Sequence, residues 1–174
     1  MEAIIEGRAY KFGDNVNSDV IIPGRYLIYI DPARLAEHAF EVLGDGFPGK
    51  LREYPILVAG RNFGCGSARE QAATAIRGLG IRAVVACSFA RTFYRNAIND
   101  GLPIVECPEL YAAVEEGDTV RIDLRAGAIS HGERRYAFPP LPDSVRQILQ
   151  AGGLAAYLER QLSGGRENAD SKPG

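Results

Sequence analysis

The apolar positions in the middle of the chain fall into short continuous runs. These runs predict strands, and the segments between them predict helices. The predicted strands are residues 1–12, 54–60, 81–89 and 101–107, and the helices between the last three are about 68–79 and 90–100. Strands that alternate with helices in this way are typical of a parallel α/β core with right-handed crossovers.

The segments around this core have other patterns. Asp118–Phe138 alternates with a period of two and predicts a β-hairpin or meander. Residues 13–27 predict a loop, and residues 31–43, which open with Asp-Pro, predict a helix. Residues 141–162 predict one or two helices broken at Gly152-Gly153. Residues 163–174 are almost without apolar residues and predict a disordered tail, so the folded domain is expected to span 1–162.

Composition excludes several function classes. The net charge is −2 and no long basic run occurs, which argues against a nucleic-acid surface. No apolar run approaches the roughly 20 residues that cross a bilayer, and the acidic N-terminus is unlike a secretory signal. The cysteines Cys65, Cys87 and Cys107 are odd in number and widely spaced, which favours free thiols in a reducing cytoplasm. No Cys/His spacing typical of a metal site occurs, so we expect no metal on this chain.

The stretch GRNFGCGSARE (residues 60–70) has two interpretations. Ser67-x-x-Glu70 has the spacing of a capping box, which caps many inert helices. Alternatively, the glycines bring backbone amides to a helix N-terminus, where an anion such as a carboxylate is stabilised. Ser67 would then offer a hydroxyl and Arg69 a bidentate fork. The serine and glutamate alone favour the cap, and Gly64, Gly66 and Arg69 favour the anion site.

Two further segments carry candidate chemistry. In residues 15–29, Asp19 either organises a turn or faces a ligand, and Arg25 is either solvated or a ligand contact. The apolar residues 26–29 are either core or a ligand wall. In residues 88–103, polar side chains recur at helical spacing, which predicts one shared face that is either solvated or an interface. They are Arg91, Arg95, Asn96 and Asn99.

Three motifs together resemble the small subunits of the aconitase-like hydro-lyases. They are NSDVIIPGRYL, GRNFGCGSAREQA and SFARTFYRNAINDGLP, and the similarity extends over about residues 1–160. The resemblance implies a swivelling β/β/α domain with a parallel-sheet core, packed helices and a C-terminal β-hairpin or meander. It also implies that the chain acts only with a large subunit, as a heterodimer or heterotetramer. That subunit holds a [4Fe-4S] cluster whose open iron acts as a Lewis acid on the substrate, and this chain binds no cofactor itself.

The resemblance also implies roles for individual residues. The serine that matches Ser67 is the base that takes a proton from carbon, and the arginine that matches Arg69 holds a substrate carboxylate. Gly66 and Ala68 belong to the same binding loop, although Ala68 departs from the pattern because aconitases often have a second serine there. Asp19 matches an active-site aspartate of the first loop. Cys65 stands where aconitases have an acidic residue and is not assigned to the cluster.

The loop PGRYLIYID (residues 23–31) is where members of this group differ by substrate. Related subunits that act on homoaconitate tend to have an arginine at the position of Ile28. Ile28 followed by Tyr29 suits an isopropyl group, so we expect 2- and 3-isopropylmalate as substrates. Arg25 keeps a tricarboxylate substrate open, and 2,3-dimethylmalate also fits an apolar loop. A rival from another class is a non-catalytic module that binds small carboxylates.

Overall fold

The computed structural model describes residues 3–67 and 69–167, and the predicted parallel core lies within a single sheet. The sheet has seven strands in the order β4-β3-β2-β1-β5-β6-β7. Strands β1 to β4 are parallel to one another, and β5 to β7 form the predicted antiparallel meander. The strands are β1 (Ile4–Lys11), β2 (Ile56–Ala59), β3 (Ala83–Ala86), β4 (Ile104–Glu106), β5 (Thr119–Asp123), β6 (Ala128–His131) and β7 (Arg134–Ala137).

Strand β1 joins the two parts of the sheet. Its C-terminal end pairs with β2 in parallel, from Ala9 opposite Ile56 to Lys11 opposite Val58. Its N-terminal part, Ile4–Arg8, pairs with β5 in the antiparallel direction. The first strand of the chain is therefore in the middle of the sheet.

The described residues form eight α-helices, of which the first five connect the parallel strands. They are α1 (Ser18–Ile21), α2 (Pro32–His38), α3 (Phe47–Leu51), α4 (Glu70–Gly78), α5 (Arg91–Asn99), α6 (Pro108–Ala113), α7 (Asp143–Ala151) and α8 (Leu154–Glu167). Helix α2 packs on α4, α4 on α5, and α5 on α7. Successive crossovers run in the same direction from β1 to β4, so right-handed connections place α2, α4 and α5 on one face of the sheet. Every residue of β2 and β3 is buried, as continuous apolar strands require.

One loop prediction and one helix prediction between β1 and β2 need correction. The predicted loop 13–27 contains α1 and a 3₁₀ turn at Gly24–Tyr26. The helix predicted for Asp31–Leu43 ends at His38, and a 3₁₀ turn at Glu41–Leu43 follows it. The break occurs because Phe40 is fully buried and adopts a left-handed backbone (φ 59°), with its amide donating to Ile21 O at 2.9 Å.

The C-terminal helices follow the predicted break closely. Helix α7 ends at Ala151, Gly152 adopts a φ of 92°, and α8 begins at Leu154. Helix α8 continues through Glu167, so residues 163–167 of the predicted tail are helical. Residues 168–174 lie outside the described residues, and the domain boundary at 162 stays a prediction. In residues 3–67 and 69–167, no helix is both long and apolar enough to cross a membrane.

Candidate active site

Two loops leave the carboxyl ends of β1 and β2 side by side and converge at the start of α4. Gly64 N donates to Val16 O at 2.8 Å, and Ser18 N donates to Cys65 O at 2.7 Å. Asn17 forms an isolated parallel bridge with Cys65 between these bonds. The two loops therefore continue the pairing of the strands and deliver their following residues to one place, outside the carboxyl ends of the sheet.

Ser67 is not the cap of α4. The helix begins at Glu70, its N-cap position is Arg69, and no side chain caps it. The first bond of the helix runs from Ala72 N to Arg69 O at 3.1 Å. The predicted capping box is therefore wrong, because Ser67 stands two residues before the cap. Its hydroxyl instead lies 3.5 Å from Asp19 Oδ1, on the exposed surface.

The side chain of Asp19 faces the start of α4, and the side chain of Asn17 organises the turn that contains it. Asn17 is the N-cap of α1, and its side-chain oxygen accepts a hydrogen bond from Asp19 N at 2.8 Å. The expectation that Asp19 itself organises the turn is therefore wrong. Its carboxylate, with 56% of the side chain exposed, lies 3.9 Å from Arg69 Nη2. The structure thus brings Asp19, Ser67 and Arg69 together, although they come from two distant segments of the chain.

Glycines allow this close approach at two points. Gly66 adopts a φ of 91°, and a Cβ there would lie 2.5 Å from Asn17 Oδ1. A Cβ on Gly24 would lie 2.8 Å from Arg69 Nη1, so the guanidinium rests against the backbone of the loop after α1. The predicted need for glycine at position 66 is confirmed. Ala68 lies outside the described residues.

Ile28 and Tyr29 occupy different environments. Gln71 Nε2, in the first turn of α4, donates to Leu27 O at 3.4 Å, which brings this loop beside the start of α4. Ile28 is 78% exposed. Tyr29 is half-buried, with the guanidinium of Arg34 4.3 Å from the centre of its ring. Of these two residues, Ile28 therefore presents the exposed apolar side chain in this loop.

Arg25 is held by a cluster of side chains and is not simply solvated. It contacts Glu41 Oε1, and its guanidinium lies 4.8 Å from the centre of the Tyr26 ring. His38 stacks on the same ring at 3.7 Å between centroids and bonds Glu41 Oε2 at 2.9 Å. Burial acts to raise the pKa of Glu41, but hydrogen bonds with Tyr26, His38 and Arg25 hold it below its ordinary value. Glu41 thus carries the charge that neutralises Arg25.

Three polar residues of α5 share one exposed face, as their helical spacing predicts: Arg91, Arg95 and Asn99. Arg91 and Arg95 are exposed and line an open groove of about 450 Å³ together with Phe89, Tyr94 and Glu106. Asn96 is half-buried and Asn99 is exposed, and neither lines this groove.

Cys65 lies in the loop of the site, two residues before Ser67, whereas Cys87 and Cys107 directly follow β3 and β4. Cys65 and Cys87 are half-buried and Cys107 is buried. Burial raises the pKa of the Cys87 and Cys107 thiols, which favours unreactive thiols there. Within the part of the chain that the structure describes, no three His, Cys, Asp or Glu residues are grouped so that they could hold a metal ion.

Sequence reasoning missed the residues that support the site. Asn17 holds the turn of Asp19, Gln71 holds the loop of Ile28, and Glu41 holds Arg25. The first had a local signal, because an Asn two residues before an Asp is a common helix cap. The others depend on contacts between segments far apart in the chain and had none.

Comparison with known proteins agrees with this fold. The family model of the aconitase C-terminal domain matches residues 28–109. The 3-isopropylmalate dehydratase small subunit of Thermodesulfovibrio yellowstonii is 48% identical over 161 residues, which cover 91% of this chain and 96% of that protein. The isopropylmalate/citramalate isomerase small subunit of Methanocaldococcus jannaschii is 45% identical over 166 residues, which cover 94% and 98%.

A solved structure extends the likeness to three dimensions. The crystal structure of a 3-isopropylmalate dehydratase chain from Methanocaldococcus jannaschii superposes with a TM-score of 0.85 at 45% identity, covering 94% of this chain and 99% of that one. The predicted α/β fold class and the resemblance to aconitase-like subunits are both confirmed. With nearly half of its residues identical over nine-tenths of its length, the chain belongs to the family of 3-isopropylmalate dehydratase small subunits, which are components of aconitase-like hydro-lyases.

Proposed function

We propose that this chain carries the proton-transfer residues of an isopropylmalate dehydratase. The reaction interconverts 2- and 3-isopropylmalate by dehydration to 2-isopropylmaleate and rehydration, and a large subunit completes the site. One observation carries the proposal: the Ser67 hydroxyl and the Arg69 guanidinium both lie beside the Asp19 carboxylate, and Ser67 is not the cap of α4.

Ser67 is the base in this proposal. An ordinary serine hydroxyl is far too weak an acid to give up its proton readily, so its oxyanion needs stabilisation. The first amides of α4 have no carbonyl within the helix to bond. They place positive potential at the N-terminus of the helix, where it stabilises the oxyanion. Arg69 adds a full positive charge on the same side. Asp19 accepts the hydroxyl hydrogen bond in the free chain and so orients Oγ at the surface of the loop.

Arg69 binds a carboxylate of the substrate. Its contact with Asp19, at 3.9 Å, is longer than a hydrogen bond, which leaves its donors for a ligand. Gly24 gives the guanidinium a flat backbone surface to rest on, which restricts its orientation. A fixed guanidinium binds a carboxylate through two parallel bonds and thereby aligns the reacting carbon with Ser67.

The surroundings of the loop favour an apolar substituent on the malate. Ile28 offers an exposed apolar side chain beside α4, and Arg25 is already neutralised by Glu41. A tricarboxylate would therefore have no free cation in this loop. Malates with a smaller branch are the second candidate, because the relative from Methanocaldococcus jannaschii is named for citramalate as well as isopropylmalate.

The large subunit holds the [4Fe-4S] cluster in this proposal. The donor set needed for a cluster is not grouped anywhere in residues 3–67 and 69–167, so these residues do not fit it. What this chain contributes is the base, the carboxylate clamp and the apolar loop, in a heterodimer or heterotetramer with its partner.

The test is Ser67→Ala in the enzyme reconstituted with a cluster-loaded large subunit. Loss of the base lowers kcat by about 10² to 10⁴-fold. The free energy of unfolding changes by less than about 0.5 kcal/mol, because the hydroxyl caps no helix. Ser144→Ala, on the exposed surface of α7, is the matched control, and it leaves kcat and the free energy of unfolding unchanged.

Two outcomes contradict the proposal. A variant that assembles with its partner and keeps its turnover shows that Ser67 is not the base. A wild-type complex that binds isopropylmalate but never turns it over supports a non-catalytic carboxylate-binding module.

A further inference from the structure

An asparagine pair lies between the ends of β1 and β2 and the candidate active site. Asn15 and Asn62 both adopt left-handed backbones, with φ of 55° and 60°. The side chain of Asn62 donates from Nδ2 to Asn15 Oδ1 at 3.0 Å. Such backbones are uncommon outside glycine and persist where the surroundings hold them, often near functional sites.

The pair sits in the middle of a ladder between the two loops. Before it, Gly60 N donates to Gly13 O at 3.0 Å, and beside it Asn15 N donates to Arg61 O at 2.8 Å. Asn62 N also donates to Ser88 Oγ at 2.9 Å, which ties the pair to the end of β3.

The backbone ladder between the two loops is interrupted at one point. Asn15 N donates to Arg61 O, and the next bond runs from Gly64 N to Val16 O, so Asn62 and Phe63 are extra residues in the second loop, as in a β-bulge. The bond between the two asparagine side chains spans this interruption. Pairing then continues at the bridge of Asn17 with Cys65, directly before Asp19 and Ser67 leave the ladder.

We propose that Asn15 and Asn62 are positioning residues for the reaction. Their side-chain bond sets the register of the two loops and so sets the distance between Ser67 Oγ and Asp19 Oδ1. This inference rests on the proposed role of Ser67. Neither asparagine needs to touch the substrate for this effect, since a displacement of about 1 Å at a base costs up to about a hundredfold in rate.

Substitutions to aspartate test the effect of the side-chain bond without changing the backbone conformation. Asparagine and aspartate both tolerate left-handed backbones, and an amide can turn by 180° to exchange donor for acceptor. Asn15→Asp therefore keeps a bond with Asn62 as donor, and Asn62→Asp keeps one with Asn15 as donor. The double variant N15D/N62D has two acceptors and no donor, so it loses the bond.

The experiment measures kcat and KM of these three variants in the reconstituted enzyme. Each single variant keeps kcat within about threefold, and the double variant loses about tenfold to a hundredfold in kcat, with KM changed by less than about threefold. One added negative charge is present in each single variant, so a loss confined to the double reports the missing donor together with the repulsion of the two carboxylates, and both act by separating this pair of side chains. In a Ser67→Ala background the double substitution has no further effect, because the base whose position it controls is gone.

Asp123→Ala is the control for stability. It removes the acceptor of two backbone bonds in the turn after β5, where Asp123 Oδ1 accepts from Arg125 N at 3.0 Å and from Ala126 N at 2.8 Å, and it lies outside the loops of the site. It lowers the free energy of unfolding but leaves kcat unchanged. A double variant whose kcat equals the product of the two single effects overturns the proposal. So does a loss that appears only as weaker binding of the large subunit, which would make the pair an interface contact.

Hydrogen exchange in the isolated chain keeps this test separate from the proposed function. The amides of Gly64 and Ser18 bond across the two loops. Their exchange is faster in N15D/N62D than in either single variant if the pair sets the register. Unchanged exchange overturns the register itself. Full turnover in Ser67→Ala, together with faster exchange in the double variant, would instead reject only the role of Ser67.

Discussion

Ile28→Arg is the substitution that most directly tests how the loop selects a substrate. Ile28 is 78% exposed in a loop that Gln71 ties to the first turn of α4. Complete burial of an isoleucine side chain is worth about 1.5–3 kcal/mol. With 78% of its surface available, contact with an isopropyl group supplies about 1–2 kcal/mol. Arginine at this position removes that contact and offers a bidentate partner to a third carboxylate.

The assay is kcat/KM for 2-isopropylmalate and for homoaconitate in the reconstituted enzyme. We expect the ratio of the two values to move toward the tricarboxylate by at least about tenfold, which corresponds to about 1.4 kcal/mol. The matched control is Ile30→Arg, which adds the same charge in the same loop at a side chain that is 87% exposed. Its ratio should move by less than about threefold.

Two results would refute this reasoning. If the ratio does not move in Ile28→Arg, the loop does not contact the side chain of the substrate. If Ile30→Arg moves it equally, the effect is general attraction between an added cation and a more highly charged substrate. In either case the preference for isopropylmalate over its relatives loses its main physical support.

The remaining predictions concern the isolated chain, one glycine and one carboxylate. The purified chain should contain no stoichiometric iron or sulfide and should have no dehydratase activity; elemental analysis and an absorbance assay check this. Gly66→Ala should lower kcat/KM by about tenfold or more, because its methyl group would lie 2.5 Å from the side-chain oxygen that caps α1. Gly46→Ala, at φ 78° with no atom within 4 Å, should cost about 1 kcal/mol of stability and leave kcat/KM unchanged. Hydrogen bonds from Glu115 N and His131 hold the pKa of Asp118 below its ordinary value, so the stability it contributes is present at neutral pH and lost as the pH falls through that lowered pKa. Urea unfolding of wild type and Asp118→Ala should therefore differ at pH 6 and converge toward pH 2.

The strand and helix order was predictable because each element buries a continuous or periodic apolar set. The start of α4 was not predictable, because the local spacing of Ser67 and Glu70 indicates a helix that begins two residues too early. A capping box is judged from four consecutive residues, whereas the true start depends on how Gly66 turns the chain against Asn17, far away in the sequence. The short helix α1 was missed for a related reason, since its Asn cap lies in a segment whose composition is typical of a loop.

The chemistry of the site followed a similar division. Residues that belong to one motif, such as Ser67 and Arg69, were identifiable from the sequence. The partner of Arg25 was not, because Glu41 comes after a helix and a left-handed Phe40 that periodicity does not reveal. The bond of Asn15 with Asn62 was equally hidden, since an asparagine in a loop can bond to water or to its own turn and so does not indicate a distant partner.

Because β1 lies in the middle of the sheet, its two halves acquire their partner strands at different times during synthesis. Its C-terminal end acquires β2 early, but Ile4–Arg8 must wait for β5, which emerges from the ribosome much later. Until then that half is an open edge on which another nascent chain is able to pair. Its alternating charges, Glu6 and Arg8, oppose such pairing, and Glu6 later bonds Arg121 at 2.9 Å once β5 arrives. The charges that oppose pairing of the exposed strand with another chain thus become part of the complete sheet.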